Sequence, residues 1–404
     1  MGVSPVIKVL QLTKKVPFPM KDGESMAICS LAEAMVMNGL TVDLLSMNTQ
    51  KHKGTLDNLN LTFYNTIAMV DINTGFNLYS FITNLFSSIP YQLSRFIHQT
   101  FKSKLVDYLL ASRYDYIILE TIYLMPYISI LKNYSKAKII LRTHNLEYEI
   151  WDRLQAGAKW GFRKFIYKVF SHQIYQFESK QLREIDFLIA ISLREFNSFK
   201  QFYPEIKGLA IPITWNSGLI EGTLHNFKKD ISLFFIGSLD WKPNLEGLWW
   251  FLHKIWPVLH LQIPTLTFHV AGRNMPNEIK QLKIPNVILV GEVDNALQFV
   301  KQHHICIVPL LSGSGMRAKI IEAMALGKVV VTTSVGLEGM DATNGIDVCV
   351  ADTPDQYVEV IFNLVSDAAK INQIGNNAQK TIKKNYDSLM MGKKLITFLK
   401  NANN

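Results

Sequence analysis

The sequence predicts an α/β protein made of two Rossmann-like, doubly wound domains facing an interdomain cleft. Three observations predict it. Short apolar runs of strand length alternate with helical stretches in both halves of the chain. A polar, glycine-bearing stretch near the middle separates those halves. At 404 residues the chain is too long for one typical core, whereas two domains suit it. Right-handed βαβ crossovers make each sheet parallel, and open parallel sheets take ligands at the carboxyl ends of their strands.

Residues 6–12 form the first expected strand, and a Pro/Gly loop from Val16 to Gly23 follows. A helix over about 24–38, with Gly39 past its end, and a strand over 41–46 complete the first βαβ unit. Residues 61–65 read as a strand and the rest of 50–112 as helical material. The alternation resumes with strand 116–119, helix 124–133, strand 137–141, a long helical region 147–184, strand 187–191 and helix 193–202. Residues 209–230 read as the linker. We divide the chain into an N-terminal domain, 1–212, a second domain, 213–384, and a C-terminal helix, 385–404, expected to pack back on the N-terminal domain.

The second half restarts with strand 231–236, ending at Gly237-Ser238, and a tryptophan-rich helix over 244–256. Strand 266–271 ends at Gly272-Arg273, and strand 287–290 at Gly291-Glu292-Val293. Three strands thus end in glycine, so that backbone can approach a ligand from several carboxyl ends at once. Helix 295–302, strands 305–309, 328–333 and 347–351, helix 354–365 and later helices finish the pattern. Neither a sustained repeat nor a low-complexity tract interrupts it.

Between strands 305–309 and 328–333 runs the stretch Leu311-Ser312-Gly313-Ser314-Gly315-Met316-Arg317-Ala318-Lys319-Ile320-Ile321-Glu322. Its glycines permit a close backbone approach, and the helix it opens aims N–H groups and the positive end of its dipole at the same place. Arg317 and Lys319 sit where the dipole favours an acid, which suggests a bound phosphate or diphosphate. Lys319 and Glu322 are three residues apart and face one ligand. The alternative is a solvated Lys–Glu pair on an ordinary helix. His144, at the carboxyl end of strand 137–141, is a second candidate, against a structural histidine.

Net charge of +9 suits an anionic partner. No Lys/Arg cluster marks a nucleic-acid groove, so nucleic acid is set aside. Cys29, Cys306 and Cys349 are odd in number and widely spaced, which fits reduced thiols in the cytoplasm, without a disulfide framework or a metal set. Residues 72–94 carry no charge and cluster Phe76, Leu78, Phe81 and Phe86, but Asn and Pro make them a poor membrane span. A buried helix pair is the favoured reading there. The basic, aromatic region 147–184 leaves peripheral contact with an anionic membrane surface open.

The stretches Ile236 through Asn244, Gly313 through Gly327 and Val335-Gly336-Leu337-Glu338-Gly339 together resemble a known family. So do Arg142-Thr143-His144-Asn145-Leu146-Glu147 and Pro17 to Gly23. Over nearly its full length the chain is similar to the GT-B glycosyltransferases of the large retaining family 4 type. The resemblance implies a nucleotide-sugar donor of UDP or GDP type, a saccharide or lipid-linked acceptor, and no metal or other cofactor. It implies that Glu322 bonds the ribose, that Lys319 and Arg317 act catalytically on the departing diphosphate, and that Arg273 is a further cation. Gly237, Glu292 and Val293 would meet the nucleotide, Gly313, Ser314, Gly315 and Met316 the sugar and phosphates, and Gly23 the diphosphate. His144 would act near the transferred sugar.

The sequence departs from the family pattern at Ser314, which stands where the motif usually carries glutamate. A hydroxyl cannot replace a carboxylate in holding sugar hydroxyls, so altered sugar recognition is expected. The arginine often found after the first strand of the second domain is also absent, with Lys242 as a candidate substitute. A transferase in surface polysaccharide or glycolipid synthesis is the leading expectation. A catalytically silent nucleotide-sugar-binding subunit and a nucleotide-sugar epimerase are the alternatives.

Overall fold

The computed structural model describes residues 6–20, 22–55, 62–84, 87–158, 161–219, 231–313 and 315–402. It divides into two compact units, residues 1–214 with 388–404, and residues 215–387.

In the first unit seven parallel strands stand in the order β3-β2-β1-β4-β5-β6-β7. They are β1 (Lys8–Thr13), β2 (Thr41–Thr49), β3 (Thr66–Ile72), β4 (Tyr116–Glu120), β5 (Lys138–Thr143), β6 (Phe187–Ala190) and β7 (Gly208–Ala210). Alternate residues serve the two faces. Leu10, Leu12, Leu45, Ile117, Leu119 and Leu141 join one core, and Val9, Val42, Leu44, Ile118, Ile140 and Ile189 another. A sheet covered on both faces needs largely apolar strands, and Gln11, Thr13, Asp43 and Ser46 are buried polar exceptions among them.

Its helices are α1 (Gly23–Met37), α2 (Leu78–Asn84), α3 (Tyr91–Ser94), α4 (Gln99–Ala111), α5 (Ile128–Tyr134), α6 (Glu147–Gly157), α7 (Phe162–Gln181) and α8 (Leu193–Phe202). Asp22 caps α1 by accepting the Ser25 amide, and Ser192 caps α8 through that of Glu195. Strand order reverses between β1 and β4. The carboxyl ends there, with the start of α1, form the switch point at which such sheets take ligands.

The second unit carries six parallel strands in the order β10-β9-β8-β11-β12-β13. These are β8 (Ser232–Ile236), β9 (Thr267–Ala271), β10 (Val287–Gly291), β11 (Ile305–Val308), β12 (Val329–Thr332) and β13 (Cys349–Val350). Leu233, Phe235, Phe268, Val270, Ile305 and Val331 pack on one side. The helices are α9 (Lys242–Trp250), α10 (Trp256–Gln262), α11 (Asn277–Lys280), α12 (Ala296–Lys301), α13 (Ala318–Ala325), α14 (Pro354–Val365) and α15 (Ala368–Asn385). Thr353 and Gln356 close a capping box at the start of α14. The last helix, α16 (Ser388–Ala402), returns to the first unit and packs on α1.

Several elements differ from expectation. The strand expected at 61–65 is a turn over its described part, and the pairing segment is β3. The helical region 147–184 is two helices, α6 and α7, with Gly161 at φ +139° between them. Residues 122–127 form a 3₁₀ turn containing Pro126 before α5 begins. The helix expected at 244–256 runs from Lys242 to Gln262 with one π-turn over Phe251–Ile255. The uncharged stretch is a helix pair of which only part is buried: Tyr91 and Leu93 are, whereas Phe76 is 67% and Leu78 62% exposed. No helix among the described residues is long and apolar enough to cross a membrane.

Candidate active site

At the carboxyl ends of β8, β9 and β11 the second unit gathers a basic, hydrogen-bonded cluster. Lys319, in the first turn of α13, donates to Asn244 Oδ1 at 2.6 Å, and its ammonium lies 4.8 Å from the centre of the Phe235 ring. Asn244 in turn donates from Nδ2 to the Ser238 carbonyl at 2.8 Å. Arg273 Nε donates to Ser238 Oγ at 3.0 Å. A β-carbon at Gly237 would come within 2.9 Å of Lys319 Nζ, so the missing side chain is what lets the lysine lie against this strand end.

Arg317 does not belong to the first helical turn as expected. It is the buried N-cap residue of α13, with its guanidinium 5.6 Å from the Trp241 ring centre. Gly313 and Gly315 adopt φ of +110° and +79°, the left-handed region that a side chain would strain. Lys319 and Glu322 are half-buried. Burial draws the Lys319 ammonium down to about 8 and pushes the Glu322 carboxyl up to about 7. An ammonium whose charge is disfavoured by burial gains from an arriving anion, and a carboxylate one turn on accepts hydroxyl donors.

The first unit builds a second cluster at its own switch point. His144 Nε2 lies 2.9 Å from Glu120 Oε2, with the histidine 8% and the glutamate 0% exposed. Glu120 Oε1 accepts from Gln11 Nε2 at 2.6 Å and from Arg142 Nη1 at 3.5 Å. Arg142 also donates to the Ala27 carbonyl of α1 at 2.5 Å. In front of this pair, Lys15 grips Asp22 at 2.7 Å, and Lys14 and Lys15 flank Glu24 at 3.3 and 3.4 Å. Burial works to raise the Glu24 carboxyl, but the lysines and His144 outweigh it and hold it at about 2.

Several buried atoms here have no partner among the described residues: His144 Nδ1 and the hydroxyls of Thr13, Thr121 and Thr143. All three threonines end central strands or follow one directly, and Thr121 holds a φ of +114°, rare for a β-branched residue. Buried polar groups without partners, and backbone strain, concentrate where a ligand supplies the missing bonds.

Residues 230–367 match the family model described as glycosyl transferases group 1. The whole chain superposes on HepE from Anabaena, solved with UDP-glucose, with a TM-score of 0.65 at 14% identity over 98% of this chain and 100% of that one. It superposes on sucrose-phosphate synthase from Thermosynechococcus elongatus with a TM-score of 0.70 at 15% identity, covering 98% of each. This chain has the GT-B fold. A curated Klebsiella pneumoniae protein, described as an uncharacterized 44.6 kDa protein in the cps region, is 26% identical over 94% of this chain and 97% of its own length.

The GT-B chain thus brings Gly237, Arg273, Gly313, Arg317 and Lys319 to one end of one sheet, with Glu322 a turn further along α13. Gly315 is buried beside them, and Met316 is half-buried in the same loop. Glu292 and Val293 follow Gly291, whose carbonyl accepts the Gly272 amide at 2.7 Å, so they stand at the same sheet edge, Glu292 exposed. Ser314 lies outside the described residues. Lys242 is not drawn in: its side chain is 83% exposed and pairs with Glu246 at 3.5 Å along its own helix. Gly23 opens α1 directly after the Asp22 cap. Sequence reasoning missed Asn244 and Glu120 as partners of Lys319 and His144. Asn244 stood in a quoted stretch, whereas nothing local marks Glu120.

Proposed function

We propose that this chain moves a sugar from a UDP- or GDP-type nucleotide-sugar donor to a saccharide or lipid-linked acceptor. The transfer is retaining and needs no metal, and it serves surface polysaccharide or glycolipid synthesis in the cytoplasm. One observation carries the reading: Lys319, drawn towards neutrality by burial, is held against the glycine end of β8 with Glu322 one helical turn away. That pair suits the diphosphate and the ribose of a nucleotide. Arg317 and Arg273 add charge for the diphosphate as it departs, a preorganised electrostatic role. The GT-B neighbour solved with UDP-glucose and the cps-region relative support donor and pathway in turn. On the first unit, His144 serves the transferred sugar and the acceptor, and Gly23 the diphosphate.

Calorimetry against a panel of UDP- and GDP-sugars tests this. Lys319→Ala and Glu322→Ala each weaken the preferred donor by about 10- to 100-fold, the worth of one charge-assisted bond. Affinity is highest between pH 7 and 8. Below about 7 Glu322 takes up a proton and loses an acceptor, and above about 8 Lys319 loses its charge. Unchanged affinity in both variants would remove the donor assignment.

A further inference from the structure

The buried ion pair beneath α1 is costly by itself. Glu120 and Arg142 are both fully buried, and such pairs seldom add net stability. Arg142 Nε and Nη2 have no partner among the described residues, so the pair is not even fully satisfied there. What the arrangement does achieve is an ordered set of hydrogen bonds ending at one ring atom.

The order follows from donors and acceptors. Burial alone would raise the Glu120 carboxyl. The Arg142 charge and the bonds from His144 and Gln11 override it and keep it ionised, hence acceptor-only. The bond of 2.9 Å between Glu120 Oε2 and His144 Nε2 therefore needs the proton on Nε2. In the neutral ring that leaves the lone pair on Nδ1, the atom that is buried without a partner among the described residues. Lys14, Glu24 and Glu147 are the other charged groups around the ring: Lys14 couples to both acids, and both acids couple to His144.

We infer that Glu120 is a positioning residue which fixes His144 as the Nε2–H tautomer, so that Nδ1 is presented as an acceptor for a ligand hydroxyl. The inference deepens the transfer reading by giving His144 a defined face, and it rests on that reading only for what the hydroxyl belongs to.

The geometry also says what Glu120→Gln does. Both donors at Oε1, Gln11 and Arg142, demand an acceptor, so the amide oxygen of glutamine stays there and its NH₂ turns to His144. An NH₂ facing Nε2 forces that nitrogen to accept, and the proton moves to Nδ1. A substitution of equal size thus reverses the tautomer.

Long-range ¹H–¹⁵N spectra of the histidine rings, recorded on the full chain without ligand above the ring's titration midpoint, read this directly. The expected result is an unprotonated Nδ1 for His144 in the wild type, an unprotonated Nε2 in Glu120→Gln, and the wild-type pattern again in Glu120→Asp. His144→Gln assigns the signals. A wild-type ring protonated on Nδ1, or one still doubly protonated at pH 9, overturns the inference, as does a Glu120→Gln ring that keeps the wild-type tautomer. The wild-type spectrum decides the tautomer even where Glu120→Gln does not fold. Release of UDP from UDP-glucose is the second readout: Glu120→Gln lowers kcat on the order of 100-fold with KM little changed. Absence of release by the wild type counts against UDP-glucose as the donor and leaves the tautomer to the spectra.

Discussion

Gly237 and Gly272 end neighbouring strands and look alike in sequence, yet their surroundings separate them. A β-carbon at Gly237 would meet Asn244 Nδ2 at 2.8 Å and Lys319 Nζ at 2.9 Å, both movable side-chain ends. At Gly272 it would meet the Gly237 carbonyl oxygen at 2.1 Å, which is backbone. Gly237→Ala is therefore expected to fold with near-wild-type stability but to displace Lys319 and weaken nucleotide-sugar binding about 10-fold or more. Gly272→Ala is expected to cost about 1–3 kcal/mol of stability through forced backbone shifts. Thermal melts and calorimetry on both variants check the contrast, and a Gly237→Ala protein with full donor affinity would remove Lys319 from the site. That Lys319 and Glu322 stand one turn apart on one helix was legible in the sequence, because three residues along a helix is a local geometry. Asn244 lies 75 residues from Lys319 and Glu120 24 from His144. Strand order and helix placement, not spacing, bring those partners in.

At the scale of elements, legibility failed where tertiary contacts overrode local pattern. Phe63 and Tyr64 read as strand, but they pack from a turn, and the Tyr64 hydroxyl donates to Gln11 Oε1 at 2.7 Å. The segment that pairs, β3, is a half-buried edge strand carrying Ala68 and Asp71, a weaker β signal. Helices α6 and α7 merge in the sequence because both turn aromatic residues to a shared interior, where Trp151 and Phe170 meet at 5.1 Å. Their junction has its own lock. Leu146, the N-cap of α6, offers no side-chain cap, and Glu178 of α7 accepts the amides of Glu147 and Tyr148 at 3.1 and 3.2 Å instead. Burial, reinforced by Glu147, pushes the Glu178 carboxyl up to about 8. Its folded value thus exceeds its unfolded one of 4.5, so its contribution is whole below about pH 4.5 and fades as pH climbs to about 8. Glu178→Gln removes the charge but keeps a single acceptor oxygen, so one of the two amides faces an NH₂. Its deficit against the wild type should be about 1–3 kcal/mol near pH 4.5 and should shrink as the pH climbs to 8. Urea midpoints across that range decide it, and parallel slopes for the two proteins would refute the account.

For the whole molecule, the alternation of strands and helices was enough to give two doubly wound units, because the central parallel strands are buried on both faces and are largely apolar. The chain passes between the two units twice. It leaves the first unit at Thr214, completes the second by Asp387, and comes back as α16. Leu395 and Leu399 then enter the same core as Val9, Leu31 and Met35. Gly392 sets the closeness of this contact: a β-carbon there would lie 2.2 Å from the Ala34 carbonyl oxygen of α1. Gly392→Val must push the two helices apart, at about 1–3 kcal/mol, whereas Met390→Ala, at a 55% exposed site, should change stability by under about 0.5 kcal/mol. Hydrogen exchange locates the loss. In Gly392→Val the amides of β1 and β2 should lose protection while those of β8 and β11 keep theirs, because α16 belongs to the first core alone. Equal loss in both units would mean that the last helix stabilises the chain as one cooperative body, and no loss would mean that the α1–α16 contact is dispensable.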